Sequence, residues 1–376
     1  MRPPPLTYLD HAATTPVAPE VLQAMADVYA SPAANASSLH RAGVAASYFI
    51  VRARHQVATA LVTEADRLTF TSGGTEANNL AIQGVALAGG RRSGHLVCSA
   101  IEHPSVLEPM RWLAGRGFDL TVLPVDGQGQ VCPDELARSL RPDTVLVSII
   151  HGNNELGVIQ DLRALGEVCR SASVPLHSDA CQSFTKVPLE PHRLPVDLLS
   201  INAHKIHGPQ GVGALWRRQG QPLGPTQHGG GQEHRLRSGT LNTAGITGFG
   251  TAATLADDAT RATLLARHRQ IVEGVQRCLP QARINSPIQG GLPHILNVTF
   301  TGADGSELFH QLNRAGFMVS LGSACHATTA TPSHVLTAIG RSAQDALSTL
   351  RISHSHHTSP EQISTFLDML EASLAA

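Results

Sequence analysis

Leu198-Leu-Ser-Ile-Asn-Ala-His-Lys205-Ile-His-Gly-Pro209 is a short apolar run that ends in polar residues around one lysine. A run of this length, bounded by turn residues, is typical of a strand buried on both faces of a parallel sheet. Similar runs precede it and alternate with Ala-rich helical patterns. The runs lie at 68–70, 95–99 and 145–149, and the helical patterns at 41–62, 75–88, 104–114 and 160–171. This alternation predicts βαβ units in a layered α/β/α domain with a mostly parallel sheet.

The pattern changes after this region. Residues 219–242 are rich in Gly, Pro, Gln and His, which predicts a loop, and 243–278 form one long helical pattern. From about residue 283 a smaller α+β pattern follows. Its strands lie at 295–300, 316–320 and 347–353, and its helices at 304–315 and 360–374. We therefore predict a large domain over 16–258 and a small domain formed by 1–15 and 259–376.

The composition excludes several classes of function. The 376 residues include 28 basic and 29 acidic side chains, so the chain carries no basic surface suited to nucleic acid or anionic membrane. Six cysteines form no C-x-x-C pair, which argues against structural zinc or a disulfide framework and favours a reducing compartment. No stretch approaches the roughly 20 apolar residues that span a bilayer. We expect a cytoplasmic protein that binds a small molecule or another protein.

Thr71-Ser-Gly-Gly-Thr-Glu76 follows a predicted strand and opens a predicted helix. Free backbone N–H groups and the helix dipole favour a phosphate at such a position. The spacing does not match a Walker loop, and Gly208–Gly213 does not match a dinucleotide fingerprint. A glycine-rich turn with a threonine cap is the alternative interpretation.

Two charged residues follow strands on the same predicted sheet. Asp179 ends the run Val174–Asp179, and a buried carboxylate requires a cationic partner such as a protonated pyridine nitrogen. A helix cap or a structural ion pair would also explain Asp179. Lys205 lies just past the next strand, where a lowered pKa would make it competent to form a Schiff base. A solvated surface lysine is the alternative there.

Several strings together resemble a known family. They are Tyr8–Pro16, Thr71–Leu80, Asn153–Glu155, Gly229–Glu233, Arg237–Thr240 and Gly322–Cys325, in an order that also includes His103, Asp179 and the His204-Lys205 pair. This order resembles the fold-type I pyridoxal-phosphate (PLP) enzymes of the class V aminotransferase branch. It is most similar to the cysteine desulfurases and selenocysteine lyases. The resemblance covers nearly the whole chain.

The resemblance implies a role for each matching residue. Lys205 would hold PLP covalently, Asp179 would pair with its pyridine nitrogen, Gln182 would hydrogen-bond its phenolic oxygen, and His103 would stack on its ring. The phosphate would be held by Gly74, Thr75, Asn202 and His204, together with Thr240 of the partner subunit in a homodimer. Asn154 and Arg351 would bind the substrate carboxylate, for which a guanidinium fork is well suited.

The resemblance also implies a reaction. Lys205 would move the Cα proton of L-cysteine, His103 would act as an acid or base, and the Cys325 thiolate would attack the substrate sulfur. Alanine would leave, and the persulfide on Cys325 would pass to an acceptor protein, such as an iron–sulfur scaffold, or supply a thio-cofactor. Cys325 lies in a polar loop of small residues, which favours this role over that of a small buried hydrophobe.

Three other functions remain as alternatives. The first is transamination, epimerisation or β-elimination on the same fold without a persulfide. The second is a selenocysteine lyase, and the third is a non-catalytic binding module that keeps the fold.

Two further groups of residues have a predicted role. The string Ile-Ser-His354-Ser-His356-His357 after Arg351 would fit a metal site, but no settled partner spacing accompanies it. We therefore interpret it as a polar loop at the substrate entrance and predict no metal. The other five cysteines are predicted to be structural, with Cys181 near the cofactor ring but without a chemical role.

Overall fold

Three sheets organise the chain in the computed structural model, which describes residues 6–32, 34–321 and 331–375. In chain order the strands are β1 (Thr7–Tyr8), β2 (Leu68–Thr71), β3 (Gly94–Ser99), β4 (Phe118–Leu123), β5 (Thr144–Ser148), β6 (Leu176–Asp179), β7 (Leu198–Asn202), β8 (Gly213–Arg217), β9 (Arg283–Ile284), β10 (Ile295–Thr299), β11 (Phe317–Met318), β12 (Ser320–Leu321) and β13 (Thr349–Ser353). The large sheet has the order β2-β8-β7-β6-β5-β3-β4, a second sheet has the order β12-β13-β10-β9, and β1 pairs with β11.

The large sheet is mostly parallel, as the sequence predicts. Strands β3 to β7 pair with one another in parallel, whereas β8 runs antiparallel to both β2 and β7. Every residue of β6 and of β7 is buried, which explains why neither strand alternates between apolar and polar residues. The predicted strands at 68–70, 95–99, 145–149 and 198–201 agree with the structure to within one residue at each end.

Helices pack on the two larger sheets. They are α1 (Pro19–Ala30), α2 (Arg41–Ala60), α3 (Gly74–Ala86), α4 (Pro104–Ala114), α5 (Pro133–Ser139), α6 (Leu162–Ser171), α7 (Thr243–Thr254), α8 (Asp258–Cys278), α9 (Gly305–Arg314), α10 (His334–Ala338), α11 (Ala343–Leu347) and α12 (Pro360–Ala375). The four helices predicted between residues 41 and 171 are confirmed as α2, α3, α4 and α6. None of the helices in the described ranges is both long and apolar enough to cross a bilayer.

The prediction of a single helix over 243–278 is wrong. The chain leaves α7 after Thr254, and α8 begins after Asp257, whose carboxylate accepts a hydrogen bond of 2.7 Å from the Thr260 N–H. This hydrogen bond caps the N-terminus of α8, so a second helix begins here and α7 does not continue. The two helices also have different partners, because α7 packs on α1 and α2 whereas α8 packs on α12.

The predicted strand at 316–320 is also divided. Its first half, β11, pairs with β1, and its second half, β12, pairs with β13. The change of partner occurs at Val319. A short strand that changes sheets reads in the sequence as one continuous apolar run, so the sequence could not reveal the division.

The two largest hydrophobic clusters of the described residues follow the regions that the sequence divides, and a smaller cluster joins Ile101 and Ile150 to Val335 and Leu336 across the division. One core is built on the large sheet from residues between Ala18 and Ala253. The other combines Leu9 with residues between Ile271 and Leu370. This separation supports the predicted boundaries near residues 15 and 258, which remain a prediction.

Strands β2, β6 and β7 all present their carboxyl ends at one edge of the large sheet, which is where α/β proteins bind ligands. Gly213 on β8 lies opposite both Thr71 and Asn202. A Cβ atom at Gly213 would lie 2.7 Å from the carbonyl carbon of Gly73 and 2.7 Å from the carbonyl oxygen of Ile201. Glycine at this position therefore lets the turn before α3 lie against the end of β7.

Candidate active site

A cavity of about 240 Å³ lies at this edge of the sheet. Nine residues that the sequence predicts for cofactor or substrate line it: Gly74, Thr75, His103, Asn154, Asp179, Gln182, Asn202, His204 and Lys205. A larger cavity of about 670 Å³ is lined by Gly94 and Thr144, the first residues of β3 and β5, and so lies at the opposite edge. The smaller cavity is the candidate site because it combines the predicted residues with the carboxyl ends of the strands.

The N-terminus of α3 forms one wall of the cavity. Gly73 precedes the helix at a φ of 155°, and no side chain of the described residues caps it. The first N–H groups of a helix have no partner within it, so they are available to an anion. A Cβ atom at Gly74 would lie 2.5 Å from Sγ of Cys181, so the glycine leaves room where the helix meets the cavity. Glu76 in the first turn is paired with Arg237 at 2.8 Å.

Asp179 at the end of β6 is buried and ionised. Its two oxygens accept hydrogen bonds from the Cys181 N–H at 2.9 Å and from Nδ2 of Asn78 at 2.7 Å. Burial alone would raise the pKa of Asp179, but His103, these two donors and Lys205 outweigh burial and hold the pKa below its ordinary value. A buried carboxylate in this state favours a cationic group beside it.

A short hydrogen-bond chain connects Asp179 to His103. Nδ2 of Asn78 also donates to Oγ of Ser105 at 2.8 Å, and that oxygen lies 2.7 Å from Nδ1 of His103. The Ser105 N–H donates to the same Nδ1, which fixes it as an acceptor and leaves the proton of the neutral ring on Nε2. Burial, followed by Lys205, lowers the pKa of His103 to about 4. His103 is therefore neutral at pH 7.

Asn202 and His204 flank the cavity beside Lys205. Oδ1 of Asn202 is buried and has no hydrogen-bond partner within the described ranges. Such an orphaned polar atom is expected where a ligand completes a site. Nδ1 of His204 lies 3.2 Å from Oγ1 of Thr14, and burial lowers the pKa of His204 to about 4. Burial raises the pKa of the Cys181 thiol well above its usual value, which supports the prediction that this cysteine has no chemical role.

Gln182 is held from two sides. Its Nε2 donates to the carbonyl of Ala12 at 2.8 Å, and its Oε1 lies 3.2 Å from Nε2 of His294. The amide nitrogen carries two hydrogens, so the bond to Ala12 leaves capacity for a ligand oxygen. This arrangement is compatible with the predicted bond to a phenolic oxygen.

Arg351 on β13 lies behind the cavity and does not line it. It is 1% exposed, its Nη2 forms an ion pair of 2.7 Å with Asp10, and its Nη1 donates to the carbonyl of Asn154 at 3.0 Å. Nε of Arg351 has no partner among the residues described. The substrate role of Arg351 stays a prediction, and a substrate carboxylate would share this guanidinium with Asp10.

The cavity does not test the roles predicted for Thr240 and Cys325. Thr240 is exposed and does not line the cavity of its own chain. Cys325 lies outside the described residues. After that gap the chain is anchored through Ser333, whose hydroxyl donates to the buried Glu155, and through His334, whose Nε2 lies 3.0 Å from the Glu102 carbonyl.

Sequence reasoning assigned no role to Asn78 and Ser105. Asn78 follows Thr75 by three residues, so the helical period of α3 places both on one face, and this spacing was the available signal. Ser105 follows His103 in the first turn of α4, where a hydroxyl often bonds backbone or a neighbouring side chain.

The α/β sheet, the helix N-terminus, the ionised carboxylate and the lysine around one cavity define a fold-type I enzyme. A model of the family described as Aminotransferase class-V matches residues 7–366. The cysteine desulfurase IscS of Dictyoglomus turgidum is 40% identical over 97% of this chain and 93% of its own length, and that of Methanosarcina thermophila is 39% identical over 96% and 90%.

Solved structures agree with these relatives. A NifS-like protein superposes with a TM-score of 0.91 at 34% identity, covering 98% of this chain and 99% of that one. A structure described as SspA in complex with cysteine gives 0.82 at 36% identity, covering 94% and 99%. The chain belongs to the class-V aminotransferase family and, within it, to the cysteine desulfurases.

Proposed function

We propose that this protein is a PLP-dependent cysteine desulfurase that converts L-cysteine to L-alanine and collects the sulfur on Cys325. The observation that carries the proposal is the cavity at the carboxyl ends of β6 and β7, which brings nine predicted residues together. The similarity to desulfurases, and to a structure described as a complex with cysteine, supports the choice of substrate.

The residues of the cavity fit PLP. The uncapped N-terminus of α3 suits a phosphate, and the ionised Asp179 suits a protonated pyridine nitrogen. The amide of Asn202, whose Oδ1 has no partner within the described ranges, can turn so that its nitrogen donates to a phosphate oxygen. Lys205 would hold the cofactor covalently. Bound PLP supplies an electron sink for the charge that develops on the substrate Cα.

Each side chain of the site has a definite task in the proposed reaction. Lys205 removes the Cα proton of cysteine and returns a proton to carbon, while Asn154 and Arg351 orient the substrate carboxylate. His103, neutral with its proton on Nε2, holds or donates that proton at the face of the cavity formed by α4.

The sulfur transfer balances without an external oxidant. The Cys325 thiolate attacks the substrate sulfur, so an S–S bond forms as the C–S bond breaks. The electron pair of the C–S bond remains with the carbon skeleton, which gains a proton and leaves as alanine. The products are alanine and a persulfide on Cys325, which can pass sulfur to an acceptor protein.

The test is a comparison of Cys325→Ala with the wild-type enzyme on L-cysteine. We expect the variant to keep the absorbance of bound PLP and to lose alanine and sulfide formation. Cys132→Ala, which removes an exposed cysteine, is the matched control and should behave as the wild type. Unchanged turnover in Cys325→Ala would instead indicate β-elimination or another reaction without a persulfide. Purified protein without PLP absorbance would indicate a binding module, and a higher rate on selenocysteine would indicate a lyase.

We also propose that the enzyme acts as a homodimer in the cytoplasm. Large apolar side chains are exposed on or beside α1 and α2, among them Tyr29 at 75%, Leu39 at 97% and Tyr48 at 65%. Exposed apolar side chains of this size on neighbouring elements are typical of a surface that binds another protein chain. A second subunit would also explain how the exposed Thr240 reaches a phosphate, since it does not line the cavity of its own chain.

A further inference from the structure

Three histidines from distant parts of the chain meet beside the proposed active site. His207 follows Lys205 by two residues, and His356 and His357 lie in the turn between β13 and α12. One ring nitrogen from each lies within 4.8 Å of the others. The ring centroid of His207 lies 5.1 Å from that of His356 and 5.1 Å from that of His357, and the latter two are 3.9 Å apart.

His207 is preorganised as a ligand. It is 5% exposed, and its Nδ1 lies 3.0 Å from the carbonyl oxygen of Pro16, to which it donates. Its Nε2 is therefore the nitrogen with the free lone pair, and this buried atom has no hydrogen-bond partner in the described chain. Metal-binding histidines in proteins show the same arrangement, in which one ring nitrogen bonds a carbonyl and fixes the tautomer while the other binds the ion.

We propose that His207, His356 and His357 form a three-histidine site for a first-row transition-metal ion of the Zn²⁺ type. Imidazole suits zinc, copper and nickel, whereas magnesium and calcium prefer oxygen ligands. Three protein ligands leave a fourth tetrahedral position for water or another small ligand.

The three ring nitrogens must come closer together to bind one ion. At Zn–N distances of about 2.0 Å, the ligand nitrogens of a tetrahedral site lie about 3.3 Å apart. His207 is fixed by burial and by its bond to Pro16, but His356 is half-buried and His357 is exposed. Rotation of these two rings closes the site without movement of the buried residue.

Hydrogen bonds hold the turn that carries His356 and His357. The Ser355 N–H donates to Oγ1 of Thr358 at 3.1 Å, and the Thr358 carbonyl accepts from Nε of Arg267 on α8 at 3.0 Å. A bound ion would therefore connect the turn after β13 to the segment that contains Lys205. Because an ion of this kind binds the folded chain, it would raise the thermal stability of the protein.

This inference is independent of the proposed reaction, so its test measures binding. Holoenzyme carrying Cys325→Ala, which removes a competing thiol, is treated with a chelator and titrated with ZnCl₂ in a calorimeter. We expect one equivalent of tightly bound zinc and a rise in Tm. X-ray absorption at the zinc edge should show a shell of N and O atoms near ~2.0 Å and no sulfur near ~2.3 Å.

The decisive variant is His356→Ala/His357→Ala, made in the same background. Both side chains are at least partly exposed, so the protein should fold, and the zinc equivalent and the rise in Tm should be lost. His55→Ala/His310→Ala removes two exposed histidines elsewhere and should bind as the parent does. Failure of the parent to bind zinc, equal binding by the His356/His357 variant, or a sulfur ligand at the zinc would each overturn the proposal.

Discussion

Asn78 connects the Asp179 carboxylate to the His103 imidazole through Ser105. Its Nδ2 donates to both Asp179 and Ser105, and Ser105 in turn contacts His103. Asn78 is fully buried, so its two hydrogen bonds face no competition from water. The position of the Asp179 carboxylate therefore depends on a residue that need not touch the substrate.

Replacement of Asn78 by alanine should weaken cofactor binding and destabilise the fold. The buried carboxylate of Asp179 would lose a donor, which costs about 1–3 kcal/mol and raises the pKa of Asp179. We expect the PLP of the variant to dissociate more readily on dialysis and the absorbance of bound PLP to change with pH in a range where that of the wild type does not.

Asn79→Ala is the matched control for this prediction. Asn79 is the next residue of α3 and bonds the Thr75 carbonyl and Gln83 within its own helix. Its replacement should leave PLP retention and the pH profile unchanged. Equal PLP retention in the Asn78 and Asn79 variants would contradict the role assigned to Asn78.

The residues of the site differ in how far the sequence could predict them. Gly74, Asp179 and Lys205 each stand at the end of a strand or the start of a helix, and that local context is visible in the sequence. The role of Asn78 depends on a partner 101 positions away, and no local pattern reports such a contact. The sequence likewise did not predict that His207 lies beside His356 and His357, because these two residues are about 150 positions further along the chain.

At the scale of elements, the close contact of β8 with the turn before α3 shapes the end of the cavity where α3 begins. Gly213→Ala would place a Cβ atom 2.7 Å from backbone atoms of Gly73 and Ile201. Backbone on both sides cannot yield as a flexible side chain would, so β7 and the α3 turn must separate. We expect a loss of about 1–3 kcal/mol in the free energy of unfolding and weaker PLP binding.

Gly127→Ala provides the comparison. A Cβ atom at Gly127 meets no heavy atom within 4 Å among the described residues, so the free energy of unfolding and PLP affinity should stay close to those of the wild type. Urea unfolding and PLP titration of the two variants measure the difference. Similar results for Gly213→Ala and Gly127→Ala would show that the close approach at β8 is unimportant.

Elements that keep the same neighbours along their whole length were predicted well, and segments whose two halves have different neighbours were not. Strands β3, β5 and β7 lie inside one sheet, and their apolar runs match their burial. The errors occur where the chain changes partners, at the break between α7 and α8 and at the division between β11 and β12. In both places the residues on each side are compatible with one continuous helix or strand. The tertiary contacts decide where the element is divided.

For the molecule as a whole, a buried acid makes stability depend on pH. Glu102 is fully buried, and burial raises its pKa to about 8. Its ordinary value is 4.5, so between these values the folded state binds a proton that the unfolded state does not. The stabilisation is complete below the ordinary value and is lost as pH rises toward 8, by about 1.4 kcal/mol per pH unit.

Glu102→Gln should remove this dependence. Glutamine resembles the protonated acid, and its oxygen can still accept from Ser99 and from the Ile150 N–H. The wild type should lose about 2 kcal/mol of its free energy of unfolding between pH 6 and pH 8 through Glu102, and the variant should not. The difference between variant and wild type should therefore grow by the same amount. Urea unfolding at the two pH values measures this change, with Glu20→Gln, at an exposed position on α1, as a control that should show no change. A constant difference between Glu102→Gln and the wild type would mean that Glu102 is ionised in the folded protein.

The pairing of β1 with β11 determines when the second core can form during synthesis. Tyr8 pairs with Met318, and Asp10 bonds Arg351, so the partners of the first strand leave the ribosome more than 300 residues later. At about 5–20 residues per second this interval lasts about 15–60 s. During this interval β1 has no partner strand, whereas the large sheet can already fold. A chaperone that shields β1 would therefore act on the newly synthesised chain before any cofactor is bound.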